Sequence, residues 1–222
     1  LQIQSNHIQM SYYFMFVILF FVGAYFEDAY KKKELPHFFK ASGVLALAAV
    51  VGVCINISNL YHTYEYSKET MRGKSELKQE GAAASQTSSG LDRDYITNWS
   101  YGIGETLTLL VPNVKGGGSG STMSQSEAAM AKANPMYNGI YSQLPQYFGE
   151  QPWTAGPVYV GAFVMFLFVL GCFIVKGPLK WALLGATIFS ILLSWGKNFM
   201  GLTDFFIDYV PMYNKFRAPS SI

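Results

Sequence analysis

Charged residues are scarce in this sequence, and several long stretches contain none. Only 14% of the 222 residues are Asp, Glu, Lys or Arg, while half are hydrophobic. Tyr12 to Phe26, Val158 to Val175 and Trp181 to Trp195 carry no charged side chain. Because roughly 20 apolar residues in a helix cross the hydrocarbon layer of a bilayer, these runs predict membrane-spanning helices. The remaining polar residues predict real loops outside the membrane.

Cysteine and histidine are also rare, with 2 and 3 residues respectively. Cys54 and Cys172 lie in different apolar runs at different depths, so no disulfide is predicted. The sequence contains no His/Cys cluster with metal-ligand spacing, no phosphate-binding loop and no nucleophile elbow. No cofactor is identified. The net charge of +2 is too small to indicate a nucleic-acid partner.

The apolar runs predict an all-α, polytopic transmembrane protein with four spans in two hairpins. The first hairpin occupies residues 1–60, with spans at about 11–27 and 41–60. The second occupies residues 158–195, and Gly177-Pro178 makes its tight turn. Small residues along the second span predict close packing against other helices.

Lysines indicate the sidedness of both hairpins. Residues 31–33 and 176–180 bring lysines to the two connections, which the positive-inside rule places in the cytoplasm. Residues 61–157 and 196–222 are then extracytoplasmic. The protein is expected to be multi-pass, with the lipid bilayer as its first partner.

The long loop at 61–157 is heterogeneous in composition. Residues 81–90 and 115–126 are rich in Gly, Ser and Ala and predict flexible inserts that cannot bury a core. Between them, Glu105 to Leu110 predicts a short helix on the membrane surface. After the last span, Asn198 to Val210 predicts an amphipathic interfacial helix that Pro211 ends.

Two groups of charged residues on the outer side are candidates for chemistry. Asp204 and Asp208 are four residues apart on one helix face, where they can hold a cation, act as acid and base, or form a solvated polar face. Lys215 and Arg217 carry positive charge on the side where topology disfavours it, which suggests contact with a lipid phosphate.

Four segments of the sequence resemble the YfhO-type bacterial membrane proteins, in the versions found in Bacteroidetes. The resemblance rests on these motifs: Leu1-Gln2-Ile3 with Ser5-Asn6-His7 and Tyr12-Tyr13; Trp99-Ser100 to Leu110-Val111-Pro112-Asn113; Gly156-Pro157-Val158-Tyr159-Val160-Gly161; and Ser194-Trp195-Gly196 through Phe216-Arg217-Ala218-Pro219-Ser220. They extend over nearly the whole chain. That family is much longer than 222 residues, so the chain is expected to be an internal fragment.

The resemblance implies a GT-C-like glycosyltransferase of the bacterial inner membrane. Such an enzyme moves a sugar from a polyprenyl-phosphate donor, a lipid-linked sugar, to an envelope lipid or polymer acceptor. Its catalytic carboxylate is expected in a loop that this sequence does not contain, and its need for a divalent metal is left open. Within the chain, Arg217, Lys197 or Arg72 would pair with the donor phosphate, and Glu65 or Glu105 would be the accessible carboxylates.

Two other functions remain open at this point. A transporter or flippase of envelope precursors predicts ionisable groups inside the spans, and few are present. A non-catalytic membrane scaffold would use the outer loops to bind a partner. Sugar transfer separates the first hypothesis from both alternatives.

Overall fold

The computed structural model describes residues 7–70 and 90–222. These residues are helical without any β-strand, and two isolated bridges are their only strand-like pairings. Both cysteines are free. The α-helices of the described part are α1 (Ile8–Lys32), α2 (Leu35–Ile55), α3 (Ile57–Lys68), α4 (Arg93–Thr97), α5 (Glu127–Met130), α6 (Asn138–Tyr141), α7 (Ala162–Ile174), α8 (Pro178–Ser194) and α9 (Met200–Tyr209).

Helices α1 and α2 are the two described helices that are individually long and apolar enough to cross a membrane. With 25 and 21 residues they measure about 37 and 31 Å at 1.5 Å per residue, which matches a hydrocarbon layer of about 30 Å. None of the residues of α2 is buried within the protein. So much exposed apolar surface requires a nonaqueous environment, which confirms a membrane protein.

The first hairpin turns more tightly than the sequence predicted. Lys33 ends α1 in a left-handed conformation at φ 60°, where its N–H bonds to the carbonyls of Ala29 and Tyr30. Pro36 lies in the first turn of α2, where a missing N–H costs nothing. Helix α2 therefore begins six residues before the predicted position of 41. It ends at Ile55, and Asn56 lies between it and the start of α3.

Helix α8 packs antiparallel along α1. A Cβ at Gly185 would lie 2.9 Å from the ring of Phe20, so the absence of a side chain permits this close approach. Lys31 and Gly177 line one shallow cavity, so the turn before α8 lies beside the end of α1. The two lysine-bearing connections are therefore at the same end of the bundle.

The predicted third span differs from the structure. The sequence predicted a helix over residues 158–175, but only Ala162–Ile174 is helical, and its 13 residues measure about 20 Å. Gly161 has φ 105°, and the Val160 N–H donates to the carbonyl of Leu109 at 3.2 Å. The preceding residues are thus held outside the helix by pairing with the loop.

The fourth predicted span is helix α8, which ends in a sharp bend. With 17 residues, α8 is long and apolar enough to cross a membrane only if it is counted together with the segment Gly196–Tyr209. The two segments meet at a bend of 106°. A helix is present within the predicted range 198–210, as α9, and its position at a membrane surface stays a prediction. Its Phe206 and Ile207 are buried against the bundle, while Phe205 and Tyr209 are exposed. Two of the described helices are thus long and apolar enough to cross a membrane, and the four-span arrangement stays a prediction.

Residues 115–126, predicted to be a flexible insert, are paired with a later part of the loop. Gly117 and Phe148 N–H groups donate to the carbonyls of Gln146 and Lys115 at 3.1 and 2.8 Å. Thr122 and Gln125 form a capping box. The insert predicted at 81–90 lies outside the described residues except for Gly90.

The buried core lies at the end of the bundle opposite the lysine turns. Tyr13, Leu193, Phe206 and Tyr213 are its larger members, joined by Leu91, Ile96 and Ile207. They come from α1, α4 and the residues just before it, α8, α9 and the segment after α9. We call the non-spanning part of this end, residues 90–113 and 195–222, the cap.

Candidate functional site

The start of α1 is hydrogen bonded to the end of the cap. Gln9 donates through Nε2 to the carbonyl of Arg217 at 2.5 Å and to Ser221 Oγ at 2.7 Å. The hydroxyl of Tyr12 donates to the carbonyl of Pro211 at 2.7 Å, and its ring lies 5.0 Å from that of Phe216. The cap therefore depends on contacts between residues about 200 positions apart.

A second set of bonds joins the segment after α4 to the bend after α8. The Tyr101 N–H donates to the Ser194 carbonyl at 2.9 Å, and the Lys197 N–H donates to Ser100 Oγ at 3.0 Å. Ser100 is fully buried, and its own hydroxyl donates to Thr97. The indole N–H of Trp195 donates to Thr106 Oγ1 at 2.8 Å. These bonds fix where the bend presents Lys197.

Arg217 lies on the surface of the cap against Tyr95. Its Nη1 donates to the Tyr95 hydroxyl at 2.8 Å, and the guanidinium lies 5.6 Å from the ring centroid. Among the described residues, no carboxylate forms an ion pair with it. An exposed guanidinium that is held on one side retains N–H donors for an oxyanion such as phosphate.

Lys197, the second predicted phosphate ligand, is paired with a carboxylate. Its Nζ lies 3.6 Å from Glu150 Oε2 and 3.4 Å from the Glu150 carbonyl oxygen. Asn198 donates to the same carboxylate at 2.9 Å. An anionic ligand at Lys197 would have to compete with Glu150, so Arg217 is the better placed of the two cations.

Glu105 is buried, and the expectation of an accessible carboxylate there is wrong. It lies in a 3-10 helix, Ile103–Leu109, with none of its surface exposed. Its Oε1 accepts from the Tyr147 hydroxyl at 2.9 Å and from the Glu150 N–H at 2.5 Å. Its Oε2 is buried with no hydrogen-bond partner among the described residues. Glu105 therefore holds the loop at 147–150 against the cap.

The surroundings of the two tyrosines near Glu105 raise the pKa of their hydroxyls. Burial raises the pKa of Tyr147, and the nearby Glu105 charge and its hydrogen bond act in the same direction. The pKa of Tyr101 is also raised, first by burial and then by Glu105. Both hydroxyls consequently remain protonated donors at neutral pH.

Asp204 and Asp208 share one arginine. The two guanidinium nitrogens Nη1 and Nη2 of Arg93 lie 2.5 Å from Asp204 Oδ1 and Asp208 Oδ1 respectively. The position that a cation would take between these carboxylates is thus occupied by a guanidinium group. Within the described residues no group of three or more His, Cys, Asp or Glu side chains could hold a metal ion.

The two remaining predicted site residues are Glu65 and Arg72. Glu65 is exposed on α3, and its carboxylate pairs with Lys68 at 2.6 Å. Arg72 lies outside the described residues. Of the predicted site residues, Arg217, Lys197 and Glu105 lie in the cap, where each has its own partner.

Sequence reasoning missed several residues that shape this site. Arg93, Tyr95, Tyr147 and Glu150 were not singled out, although each binds a residue that was. Their roles depend on partners 42 or more positions away. The only local signal was the position of Asp92 as the N-cap of α4, where its side chain accepts from the Asp94 and Tyr95 N–H groups.

Comparisons with protein-family models, curated proteins and solved structures found no match.

Proposed function

We propose that this chain is part of a GT-C-like glycosyltransferase of the YfhO type in the bacterial inner membrane. It would transfer a sugar from a polyprenyl-phosphate donor to a cell-envelope lipid or polymer. In this proposal Arg217 pairs with the donor phosphate at the extracytoplasmic surface, and Tyr95 positions its guanidinium. The catalytic carboxylate is supplied by a part of the enzyme outside this sequence.

The observation that carries the proposal is the convergence of the segments on which the family resemblance rests. Tyr12 of the first segment contacts Phe216 of the fourth. Trp99 of the second accepts through its carbonyl from the Ser220 N–H at 3.3 Å. The third segment is joined to the second by the hydrogen bond from the Val160 N–H to the Leu109 carbonyl. Segments far apart in sequence thus form one surface, which is expected if they serve one shared site.

The position of Arg217 supports the proposed donor chemistry. The residue lies on the cap, where α1 and α8 leave their apolar stretches, and a lipid-linked phosphate would lie at the same level of a bilayer. Arginine suits such a ligand because its planar fork makes two parallel bonds to phosphate oxygens.

The test is sugar transfer by the full-length protein that contains this chain, in membranes, with labelled polyprenyl-phosphate sugars. Arg217→Ala is expected to reduce transfer at low donor concentration about ten- to a hundredfold, the usual effect of losing a hydrogen bond to a charged group. Arg217→Lys should recover part of the loss. Lys132→Ala, which removes an exposed cation from another part of the loop, is the matched control and should transfer normally.

Membrane insertion of each variant is measured in parallel, so that misfolding is separated from loss of donor binding. Normal transfer by Arg217→Ala would refute the role of Arg217. Absence of transfer by the folded wild-type full-length protein with every donor would refute the transferase itself.

A transporter or flippase is the second candidate, favoured by a groove between α1 and α2. The groove encloses about 740 Å³, and apolar side chains form most of its wall. Asp28, Glu34 and His37 line it at the lysine-turn end. Ionisable groups beside a membrane groove are typical of substrate paths. Movement of a labelled precursor without sugar transfer would select this function.

A further inference from the structure

A second, smaller pocket lies where the cap meets α8. It encloses about 310 Å³, at the lower end of the range for small-molecule sites. Its lining combines apolar side chains with hydroxyl groups. The apolar residues are Leu109, Pro157, Val158, Val160, Ile191 and Ile222, and the hydroxyls belong to Tyr101, Thr106, Ser190, Ser194 and Ser220.

Three of the five hydroxyls have no hydrogen-bond partner among the described residues. Thr106 accepts from Trp195, and Ser194 donates to the Ile191 carbonyl. In the described part of the chain, the hydroxyls of Tyr101, Ser190 and Ser220 form no such hydrogen bond. None of these three oxygens is fully buried without a partner. They are therefore open to the pocket. Each hydroxyl can donate one hydrogen bond and accept others.

The lining of this pocket contains no Asp, Glu, Lys, Arg or His among the described residues. A charged ligand placed there would lose its hydration without gaining an ion pair. An uncharged ligand with several hydroxyls, by contrast, matches a wall of unpaired donors and acceptors. The pocket thus differs in chemistry from the surface around Arg217.

Two of the apolar lining residues are exposed at the surface of the protein. Val158 and Val160 are 80% and 44% exposed and lie directly before α7. An alkyl chain lying along them would remove apolar surface from water on both partners. The pocket therefore suits a molecule that joins a hydroxylated head to a hydrocarbon tail.

We infer that this pocket binds the uncharged sugar headgroup of a glycolipid, with its acyl chains along Val158 and Val160. The sugar ring lies against the Tyr101, Ser190 and Ser220 hydroxyls. If the proposed transferase is correct, this ligand is its acceptor; that assignment rests on the proposed function, whereas the binding itself does not.

Binding is measured on the purified full chain by native mass spectrometry with monoglucosyl-dioleoylglycerol as the probe. Dioleoylglycerol tests the contribution of the sugar, and dioleoylphosphatidylglycerol tests selectivity against a charged headgroup. The wild type is expected to retain the glycolipid at least tenfold more tightly than either comparison lipid. Equal retention of all three lipids would refute the site.

Two substitutions at Ser190 test the location. Ser190→Leu fills the pocket and should weaken glycolipid binding tenfold or more. Ser190→Ala removes one hydroxyl without adding volume and should weaken it about fivefold, the usual effect of one neutral hydrogen bond. Thr187→Leu is the matched control on the same helix, because the Thr187 hydroxyl is exposed and bonded to the Leu183 carbonyl.

The outcomes separate this inference from the proposed function. Wild-type glycolipid binding by Ser190→Ala and by a Ser220→Ala variant would refute the pocket, even if Arg217-dependent sugar transfer is observed. Selective, Ser190-dependent binding together with no transfer by the full-length protein would establish the pocket and refute the transferase.

Discussion

At the scale of single residues, Glu105 illustrates how partners decide what a side chain does. Its acidic type and its place in an outer loop suggested an accessible carboxylate. In the structure it is fully buried and accepts from Tyr147 and from the Glu150 backbone. A Cβ at Gly149 would lie 2.0 Å from Glu105 Oε1, so glycine is required beside it. This carboxylate acts as a structural acceptor.

The hydroxyl of Tyr147 is expected to make the folded protein less stable at alkaline pH. An unfolded tyrosine loses its proton near pH 10.0, whereas burial and Glu105 raise the pKa of Tyr147 in the folded protein. The unfolded state therefore binds fewer protons above pH 10, and stability falls as pH rises through that value. Below pH 10 the contribution of this group to stability is fully present.

Tyr147→Phe is expected to change both the free energy of unfolding at pH 8 and the slope with which it falls above pH 10. At pH 8 it should lower the free energy of unfolding by about 1–3 kcal/mol, because Glu105 loses a buried donor. Above pH 10 the free energy of unfolding of the variant should fall less steeply with pH than that of the wild type. The difference in slope is up to about 1.4 kcal/mol per pH unit, which corresponds to one proton. Thermal unfolding in detergent between pH 8 and 11 measures both.

The exposed Tyr137 provides the control for this experiment. It is 47% exposed in the loop, so Tyr137→Phe should unfold like the wild type at every pH. If Tyr147→Phe instead reproduces the wild-type slope above pH 10, Tyr147 is not the group that titrates.

At the scale of elements, the bend between α8 and α9 sets the shape of the cap. The chain turns by 106° there, and Gly196 adopts φ 39°. A Cβ at Gly196 would lie 2.0 Å from Ser100 Oγ and 2.9 Å from Pro219. Thr203 stabilises the bend by donating to the Gly196 carbonyl at 2.8 Å. The bend thus needs glycine for both conformation and space.

Gly196→Ala is expected to destabilise the protein by about 1–3 kcal/mol, the usual cost of overpacking combined with a left-handed backbone. Gly201→Ala is the matched control in α9, since a Cβ there meets nothing within 4 Å. That control should be neutral or stabilising by up to about 1 kcal/mol through helix propensity. Chemical unfolding in detergent compares the two, and equal stabilities would show that the bend tolerates a side chain.

Helix α2 does not pack closely against other helices among the described residues, contrary to the sequence-based prediction. Its small residues predicted close packing against other helices. A Cβ at Gly43 or Gly52 would meet nothing within 4 Å, and none of its residues is buried. Small residues permit close approach without specifying a partner. The surface of α2 is left to lipid or to another helix.

At the scale of the whole molecule, α1 and α8 run from the lysine turns to the cap. Because the two lysine-bearing connections lie at the same end, the positive-inside rule places that end in the cytoplasm and the cap outside. This sidedness is a prediction that one labelling experiment can check.

Cysteine reporters at Glu34 and Met136, in a protein whose native Cys54 and Cys172 are replaced by Ser, are expected to label from opposite sides. Met136 is 83% exposed in the loop attached to the cap, and Glu34 is exposed at the first lysine turn. An impermeant maleimide should modify Met136→Cys in intact cells and Glu34→Cys only after permeabilisation. Labelling of both from outside would contradict the two-hairpin topology.

Some of the site was predictable from sequence, and the limits have physical causes. Arg217 was singled out because positive charge is unusual on the predicted outer side, a signal that needs no tertiary contact. Its partner Tyr95 lies 122 positions away, and no local pattern marks that pairing. The aspartate pair was recognised from helical spacing, but its counter-ion Arg93 enters from α4.

The sequence alone determined the helical class, the membrane-spanning character of α1 and α2, the tight turn at Gly177 and the place of α9. These depend on hydrophobic runs, glycine, proline and helical periodicity, which act within a few residues. Tertiary structure alone decided the burial of Glu105, the short length of α7, the arginine between Asp204 and Asp208 and the hydroxyl-lined pocket. Each depends on hydrogen bonds or packing between segments that become neighbours only when the chain folds.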